Sequence, residues 1–274
     1  MSSERNKTIK LTKEEAQEYS DPNIICGNLF DVIGDLPNDS FDLLLTDPPY
    51  NIKKDFGGFS FGRMCIDDYT RYTVEWLSAV LPKLKKTASI YICCDWRCSS
   101  EIKVAMEKLG ITILNRITWK REKGRGAKKN WKNVSEDIWF GVLDKNNYHF
   151  DLEVVKERKT VICPYRNDDG SNKDWGVDDD GNKFRLTCPP NVWTDIVVPF
   201  WSMPENTTHP TQKPEKLLER IIKASCPVGG NVLDVFAGSG STLVAAKKLG
   251  MSFTGVEIDP YWCGIAAYRL KHGL

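Results

Sequence analysis

Val232-Leu233-Asp234-Val235-Phe236-Ala237-Gly238-Ser239-Gly240-Ser241-Thr242 runs from an apolar stretch straight into a glycine turn, and the segments on its carboxyl side decide the fold. Val232–Phe236 has the length and composition of a buried strand. Leu243-Val244-Ala245-Ala246-Lys247-Lys248-Leu249-Gly250 reads as a helix with a glycine just past its end. Ser252-Phe253-Thr254-Gly255-Val256-Glu257-Ile258 reads as a second strand. Strand, glycine turn, helix and strand make one crossover of a doubly wound α/β sheet, a fold that binds ligands beyond the carboxyl ends of its strands. Gly238 and Gly240 permit close backbone approach and unusual dihedrals. Glu257 ends the second strand, where an acidic side chain commonly accepts from ribose hydroxyls. A dinucleotide fingerprint needs a third glycine, and Leu243 stands there. No lysine comes after the turn, as a phosphate-cradling loop requires. The pattern therefore suits a nucleoside ligand without a pyrophosphate.

Far upstream, Phe41-Asp42-Leu43-Leu44-Leu45-Thr46 is another apolar run, and it ends in Asp47-Pro48-Pro49-Tyr50. Each proline disfavours the helical region for the residue before it, so Asp47 and Pro48 are expected to be extended. Neither proline has an N–H to donate. The result is a stiff corner offering a carboxylate, a backbone carbonyl and an aromatic face. A planar ring bearing an exocyclic amine fits such a corner: the amine donates to the two oxygens and the ring stacks on Tyr50. Read alone, the tetrapeptide is also compatible with an ordinary turn in which Tyr50 is merely packed.

In this order the two segments resemble the β class of S-adenosylmethionine-dependent amino-group DNA methyltransferases. That class sets a D-P-P-Y motif ahead of an F-x-G-x-G motif, and here Asp47 precedes Phe236-Ala237-Gly238-Ser239-Gly240 by most of the chain. Thr208-His209-Pro210-Thr211-Gln212-Lys213-Pro214 resembles the family segment that leads into the helix before the cofactor strand. Trp119-Lys120 and Ser135-Glu136-Asp137-Ile138-Trp139 resemble further family positions. The resemblance spans residues 22–272 and is thinnest over 121–205.

The resemblance implies a doubly wound, mostly parallel, Rossmann-like methyltransferase sheet, circularly permuted, with an inserted target-recognition region. The expected organisation is an N-terminal extension (1–21), a catalytic half (22–120), the target-recognition region (121–205) and a cofactor-binding half (206–274). S-adenosyl-L-methionine is the implied cofactor. Asp47, Pro48, Pro49 and Tyr50 would form the catalytic corner, with Asp47 also meeting the cofactor. Asp234, Phe236, Gly238, Ser239, Gly240 and Thr242 would line the methionine and sugar. Glu257 would hold the ribose with Ile258 beside it, and Thr211, Gln212 and Lys213 would meet the carboxylate side. Asn28 stands where many relatives carry an acid near the adenine, and an amide can still hydrogen-bond that edge.

The implied reaction is direct in-line methyl transfer to adenine N6 of a base flipped out of the duplex. Cytosine N4 presents the same kind of amine. Relatives acting on cytosine more often carry serine in place of Asp47, so the aspartate favours adenine. Methylation of RNA or of a protein glutamine is disfavoured by the motif order. A non-catalytic DNA-binding subunit is disfavoured because both motifs are intact, and a Pro-Cys pair of the cytosine-C5 type is absent.

The 274 residues carry 38 basic and 37 acidic side chains, a formal charge of +1 and 41% hydrophobic residues, enough core for one large α/β domain. No apolar run approaches a membrane span. Met1–Lys7 is followed by no apolar stretch, so no secretory signal is expected and the cytoplasm is the expected location. The nine cysteines form no Cys-x-x-Cys and are expected to be unpaired thiols. His149, His209 and His272 are scattered without ligand spacing, so no metal is expected.

Charge is unevenly distributed. Lys120, Arg121, Lys123, Arg125, Lys128, Lys129 and Lys132 stand against Glu122 alone, with Gly124 and Gly126 loosening the stretch and Trp131 offering a stacking face. Phosphate contact is expected of Lys120, Arg121, Arg125, Lys128, Lys129 and Lys132, although a solvated charge run has the same composition. Trp119 reads equally as a stacking or a core residue. Gly57–Gly62 reads as a loop able to close over a bound base. DNA is the expected partner; a cognate restriction endonuclease and a second copy of the chain are compatible with it, and a membrane is not expected.

Overall fold

The computed structural model describes residues 8–55, 60–121 and 128–274. Its main sheet has eight strands: β1 (Ile24–Cys26), β2 (Phe41–Thr46), β3 (Leu84–Cys94), β4 (Thr112–Lys120), β5 (Ser135–Val142), β6 (Val192–Trp193), β7 (Asn231–Asp234) and β8 (Ser252–Glu257). They lie in the order β1-β8-β7-β2-β3-β5-β4-β6. Strand β5 runs antiparallel to both neighbours, and every other pair is parallel.

All six residues of β2 are buried, which explains a continuous apolar run in place of alternation. Leu44 faces a core with Trp76, Leu77 and Ile90, while Leu43 and Leu45 face a second core with Tyr91, Leu217 and Ile221. This is the two-residue period of a strand covered on both faces. Helices α1 (Ile66–Val80) and α2 (Ser99–Lys108) cover the first face, and α3 (Glu215–Ser225) and α4 (Ser241–Lys248) cover the second. Helix α5 (Pro260–His272) packs behind α4 and β1. Helix α1 stops at Val80 because Pro82 tightens the chain into a short 3-10 turn, and β3 starts directly after it. Near the N-terminus, Thr12 and Glu15 close a capping box on Lys13–Gln17.

The site is set by one pairing. Strands β7 and β2 lie side by side in parallel, with Val232 opposite Leu43 and Leu233 opposite Leu44. From β2 the chain moves on to β3 on one side, and from β7 to β8 on the other. The seam between β2 and β7 is thus the topological switch point, where a crevice opens beyond the carboxyl ends.

The stretch 121–205 contributes more to this sheet than its weak family likeness suggests. Both β5 and β6 lie within it. What stands apart from the main sheet is a three-stranded antiparallel sheet of Glu157–Thr160, Gly176–Val177 and Lys183–Thr187. All nine cysteines are free thiols. Among the described residues no helix is long and apolar enough to cross a membrane, and no cluster of His, Cys, Asp and Glu could hold a metal.

Candidate active site

Both motifs open into one cleft at the switch point. Asp47, Pro48, Pro49 and Tyr50 line one side, and Asp234, Phe236, Gly238 and Glu257 line the other. Asp234 ends β7 and is buried; it accepts from the Thr46 hydroxyl at 2.7 Å and from the Phe236 N–H at 3.1 Å. Burial raises the Asp234 carboxyl to about 6, although the Thr242 and Thr46 hydroxyls pull it back down.

The glycine turn is shaped by close contacts. Gly238 and Gly240 have φ of 51° and 77°. A Cβ on Gly240 would lie 2.6 Å from the Ala266 Cβ, so this glycine lets the start of α4 pack against α5 and does not itself line the cleft. A Cβ on Gly238 would lie 3.1 Å from His209 Nε2. Arg269, wholly buried, fixes the turn from beneath: Nη1 donates to the Ser239 carbonyl at 2.7 Å and to Ser241 Oγ at 2.9 Å, and Nη2 pairs with Glu215 Oε1 at 2.7 Å. Glu257 accepts from the Gly238 N–H at 2.7 Å and the Asp259 N–H at 2.9 Å. Burial nonetheless raises its carboxyl above the ordinary range.

The opposite corner is braced from several directions. Tyr69 donates to the Pro49 carbonyl at 2.9 Å, and the Asn51 amide is bonded on both sides to the Met64 backbone. Lys213 is buried here with its Nζ 2.5 Å from Asp47 Oδ2, 3.1 Å from Tyr50 Oη and 3.3 Å from Glu136 Oε2. Tyr50 Oη donates to Glu136 Oε2 at 3.1 Å, and Arg121 Nη1 pairs with Glu136 Oε1 at 2.7 Å. Two carboxylates, Glu136 buried and Asp47 half-buried, and two cations thereby share one network.

Burial would push Lys213 down, but the Asp47 and Glu136 carboxylates hold its ammonium above the ordinary value. Burial also raises Asp47, only partly offset by Lys213. Glu136 is driven up by burial but ends below its ordinary value, because Lys213 and Arg121 both favour its anion. Asp47 Oδ1 is buried and has no hydrogen-bond partner among the described residues. An unpaired buried acceptor costs about 1–3 kcal/mol, so this atom is chemically suited to receive a ligand's N–H.

Several expected site residues occupy positions that differ in detail from the expectation. Asn28 lines the cleft, but its Oδ1 accepts from the Phe30 N–H at 3.0 Å and caps Leu29–Val32. Thr211 and Ile258 line the cleft. Gln212 braces its own loop: Oε1 accepts from the Thr207 N–H and hydroxyl, both at 2.8 Å, and Nε2 donates to the Glu205 carbonyl at 2.6 Å. Lys213 lines the cleft with its ammonium paired in the Asp47 corner, because a buried cation needs paired anions. Arg121 is likewise engaged by Glu136 instead of being displayed for phosphate.

Lys120, Lys128, Lys129, Trp131 and Lys132 are exposed, Trp131 at 96%. Arg125, with Lys123, Gly124 and Gly126, lies outside the described residues, as do Gly57–Phe59 of the expected loop. Trp119 is core: it is buried, and its Nε1 donates to the Ile196 carbonyl at 2.8 Å.

Glu136, Thr46, His209 and Arg269 carry no role in the sequence reading. Two of them stand inside motifs, Glu136 in Ser135–Trp139 and His209 in Thr208–Pro214, where a charged or imidazole side chain was the available signal. Arg269 had none, since it lies on the last helix, far from either motif.

Comparison with known proteins agrees with this geometry. The chain matches the family model described as DNA methylase over residues 41–268. It is 31% identical over 251 residues to the Type II methyltransferase M.HpaI of Haemophilus parainfluenzae, a match covering 91% of this chain and 74% of that protein. It is 35% identical over 258 residues to the DNA adenine methyltransferase YhdJ of Escherichia coli (strain K12), covering 90% and 82%. The crystal structure of the M1.HpyAVI–SAM complex is similar with a TM-score of 0.62 and 23% identity, over 90% of this chain and 98% of that one; at that identity the likeness speaks to the fold.

Proposed function

This chain belongs to the amino-group DNA methylase family, and on that premise we propose that it methylates adenine N6 in DNA, with S-adenosyl-L-methionine as donor. The observation that carries the reading is the shared cleft: the Asp47 corner and the Gly238 turn line the same cavity, and Asp47 Oδ1 has no partner among the described residues. The residues present fit the cofactor. Glu257 offers half-buried carboxylate oxygens to hydroxyls, the Gly238 turn brings backbone close, and Phe236 and Ile258 supply apolar wall. When bound, S-adenosylmethionine supplies a methyl group on a sulfonium.

The amine of adenine is a poor nucleophile because its lone pair is conjugated with the ring. Asp47 and the Pro48 carbonyl would accept its two hydrogens and so turn the lone pair toward the donor. This is orientation and electrostatics, without a covalent enzyme intermediate. Lys213 has a supporting part: held by Glu136 and Tyr50, it keeps a cation beside Asp47 and favours the anionic, accepting form. Tyr50 is only 8% exposed, so a base inside a duplex cannot reach it and must be extruded.

Exposed Lys120, Lys128, Lys129 and Lys132 suit phosphate contact, with Trp131 as an added stacking face. The three-stranded sheet and its connecting segments within 157–187 suit target recognition: they carry Arg158 over the Phe184 ring, and Arg166 and Lys183 over Trp175. Pairing with a restriction endonuclease of the same target, and a cytoplasmic location, are consistent with relatives named as Type II methyltransferases.

The test is chemical. DNA is incubated with the protein and methyl-labelled S-adenosylmethionine, hydrolysed to nucleosides and analysed by mass spectrometry. Labelled N6-methyladenine is expected. Labelled N4-methylcytosine would move the assignment to the other base, and an unlabelled digest would overturn it.

A further inference from the structure

We propose that Trp96 is a DNA-contacting residue that stacks against the duplex beside the extruded base, an inference that rests on the methyl transfer to DNA proposed for the cleft. Trp96 lies in the turn between β3 and α2, at the edge of the sheet where the catalytic strand also ends, for Thr46 is paired with Ile92. Its indole is 60% exposed, although Cys94, Asp95 and Cys98 around it are buried.

The turn is fixed at both ends. Asp95 Oδ1 accepts from the Arg97 N–H at 3.0 Å and from Arg97 Nη1 at 3.2 Å, and the Asp95 carbonyl accepts from the Cys98 N–H at 3.0 Å. Asp95 Oδ2 accepts from Asn133 Nδ2 at 3.2 Å, and Asn133 directly follows the basic segment. On the other side Cys98 packs in the same buried cluster as Tyr50 and Tyr69. The indole is thus carried by a turn packed against the Tyr50 corner and hydrogen-bonded to Asn133, just past the basic stretch.

A single exposed apolar side chain needs no explanation by itself. Here the exposure coincides with a rigid mount, a position between catalytic corner and basic segment, and a guanidinium 4.9 Å from the ring centroid. A cation over an aromatic ring, set beside a surface suited to phosphate, matches a nucleobase better than an apolar peptide. The proposed chemistry gives such a group a task. Extruding a base costs stacking on both of its neighbours, and an indole can return part of that contact.

The experiment compares wild type, Trp96→Ala and Trp96→Phe on a DNA duplex that the wild type methylates, and on the same duplex with the target base mispaired. Single-turnover methylation, DNA affinity and S-adenosylmethionine affinity are read for each. Trp96→Ala should lose about tenfold in methylation on the paired duplex, recover most of it on the mispaired one, and bind S-adenosylmethionine normally. Trp96→Phe should stay close to wild type. Wild-type behaviour of Trp96→Ala on the paired duplex, or an equal loss on both duplexes, would overturn the proposal. A wild type inert on every DNA tested would bring down the assignment of DNA methylation and this inference with it, and that outcome is seen before any variant is compared.

Discussion

Thr46 donates to Asp234 at 2.7 Å, joining the last residue of the catalytic strand to the last residue of the cofactor strand across 188 positions of sequence. Because β2 and β7 are adjacent and parallel, this bond sits at the floor of the crevice. It holds the two motifs in register: Asp47 emerges directly from Thr46, and the glycine turn emerges from Asp234.

Thr46→Val keeps the shape of the side chain but removes the donor. A buried carboxylate that loses a partner costs about 1–3 kcal/mol. We expect a lower midpoint of thermal unfolding and weaker S-adenosylmethionine binding by calorimetry, with Asp47 untouched. Unchanged affinity and stability would show that the bond does not position the turn.

Asp234 gives the apo-protein a distinct pH dependence. Its carboxyl rises from 3.8 to about 6 through burial. The folded state binds this proton more tightly than the unfolded chain does, so its stabilising effect is complete below pH 3.8 and is lost as pH rises through 6. Relative to Asp234→Asn, wild type should lose up to about 3 kcal/mol between pH 4 and 7 in urea melts. A pH-independent difference would contradict the burial argument.

Lys213→Met should be costly in a specific way. It strands Asp47 and Glu136 without their shared cation, and breaking a buried pair costs about 3–5 kcal/mol. Adding Glu136→Gln should return part of that loss, so the double variant should melt above the single one. In the proposed mechanism Asp47 accepts in its ionised form, and burial already raises its carboxyl, so activity is expected to fall as pH drops through that raised value. Without Lys213 the acid limb of kcat/KM should move to still higher pH; an unmoved limb would show that Lys213 does not tune Asp47.

Replacing Lys128, Lys129 and Lys132 with glutamine should weaken binding on every DNA sequence alike. The slope of log affinity against log salt should fall by up to about 3, near one unit per phosphate contact. An unchanged slope would mean that these lysines are only solvated.

The legible parts of the molecule were local ones. Asp47–Tyr50, Phe236–Gly240 and Thr208–Pro214 declare themselves because prolines and glycines constrain the backbone wherever they stand, and the strand–turn–helix–strand order fixed the sheet around them. What could not be read depends on partners brought together by the fold. Glu136 lies on the antiparallel strand β5, and its role appears only where that strand passes Tyr50 and Lys213. The ion pairs of Lys213 and Arg121 are equally invisible, since a sequence shows a charge without its counter-charge. Gly240 looked like a cofactor glycine, whereas its tightest neighbour is Ala266 on the last helix.

The central claim is that one cleft holds a methyl donor and an acceptor corner as separable parts. The most direct measurement is the pairing of S-adenosylmethionine titration with single-turnover transfer of labelled methyl to DNA, for wild type and Asp47→Ala. Near-equal donor affinity is expected, with a loss of transfer of at least about a hundredfold in the variant. Turnover retained in Asp47→Ala, at unchanged donor binding, would contradict it.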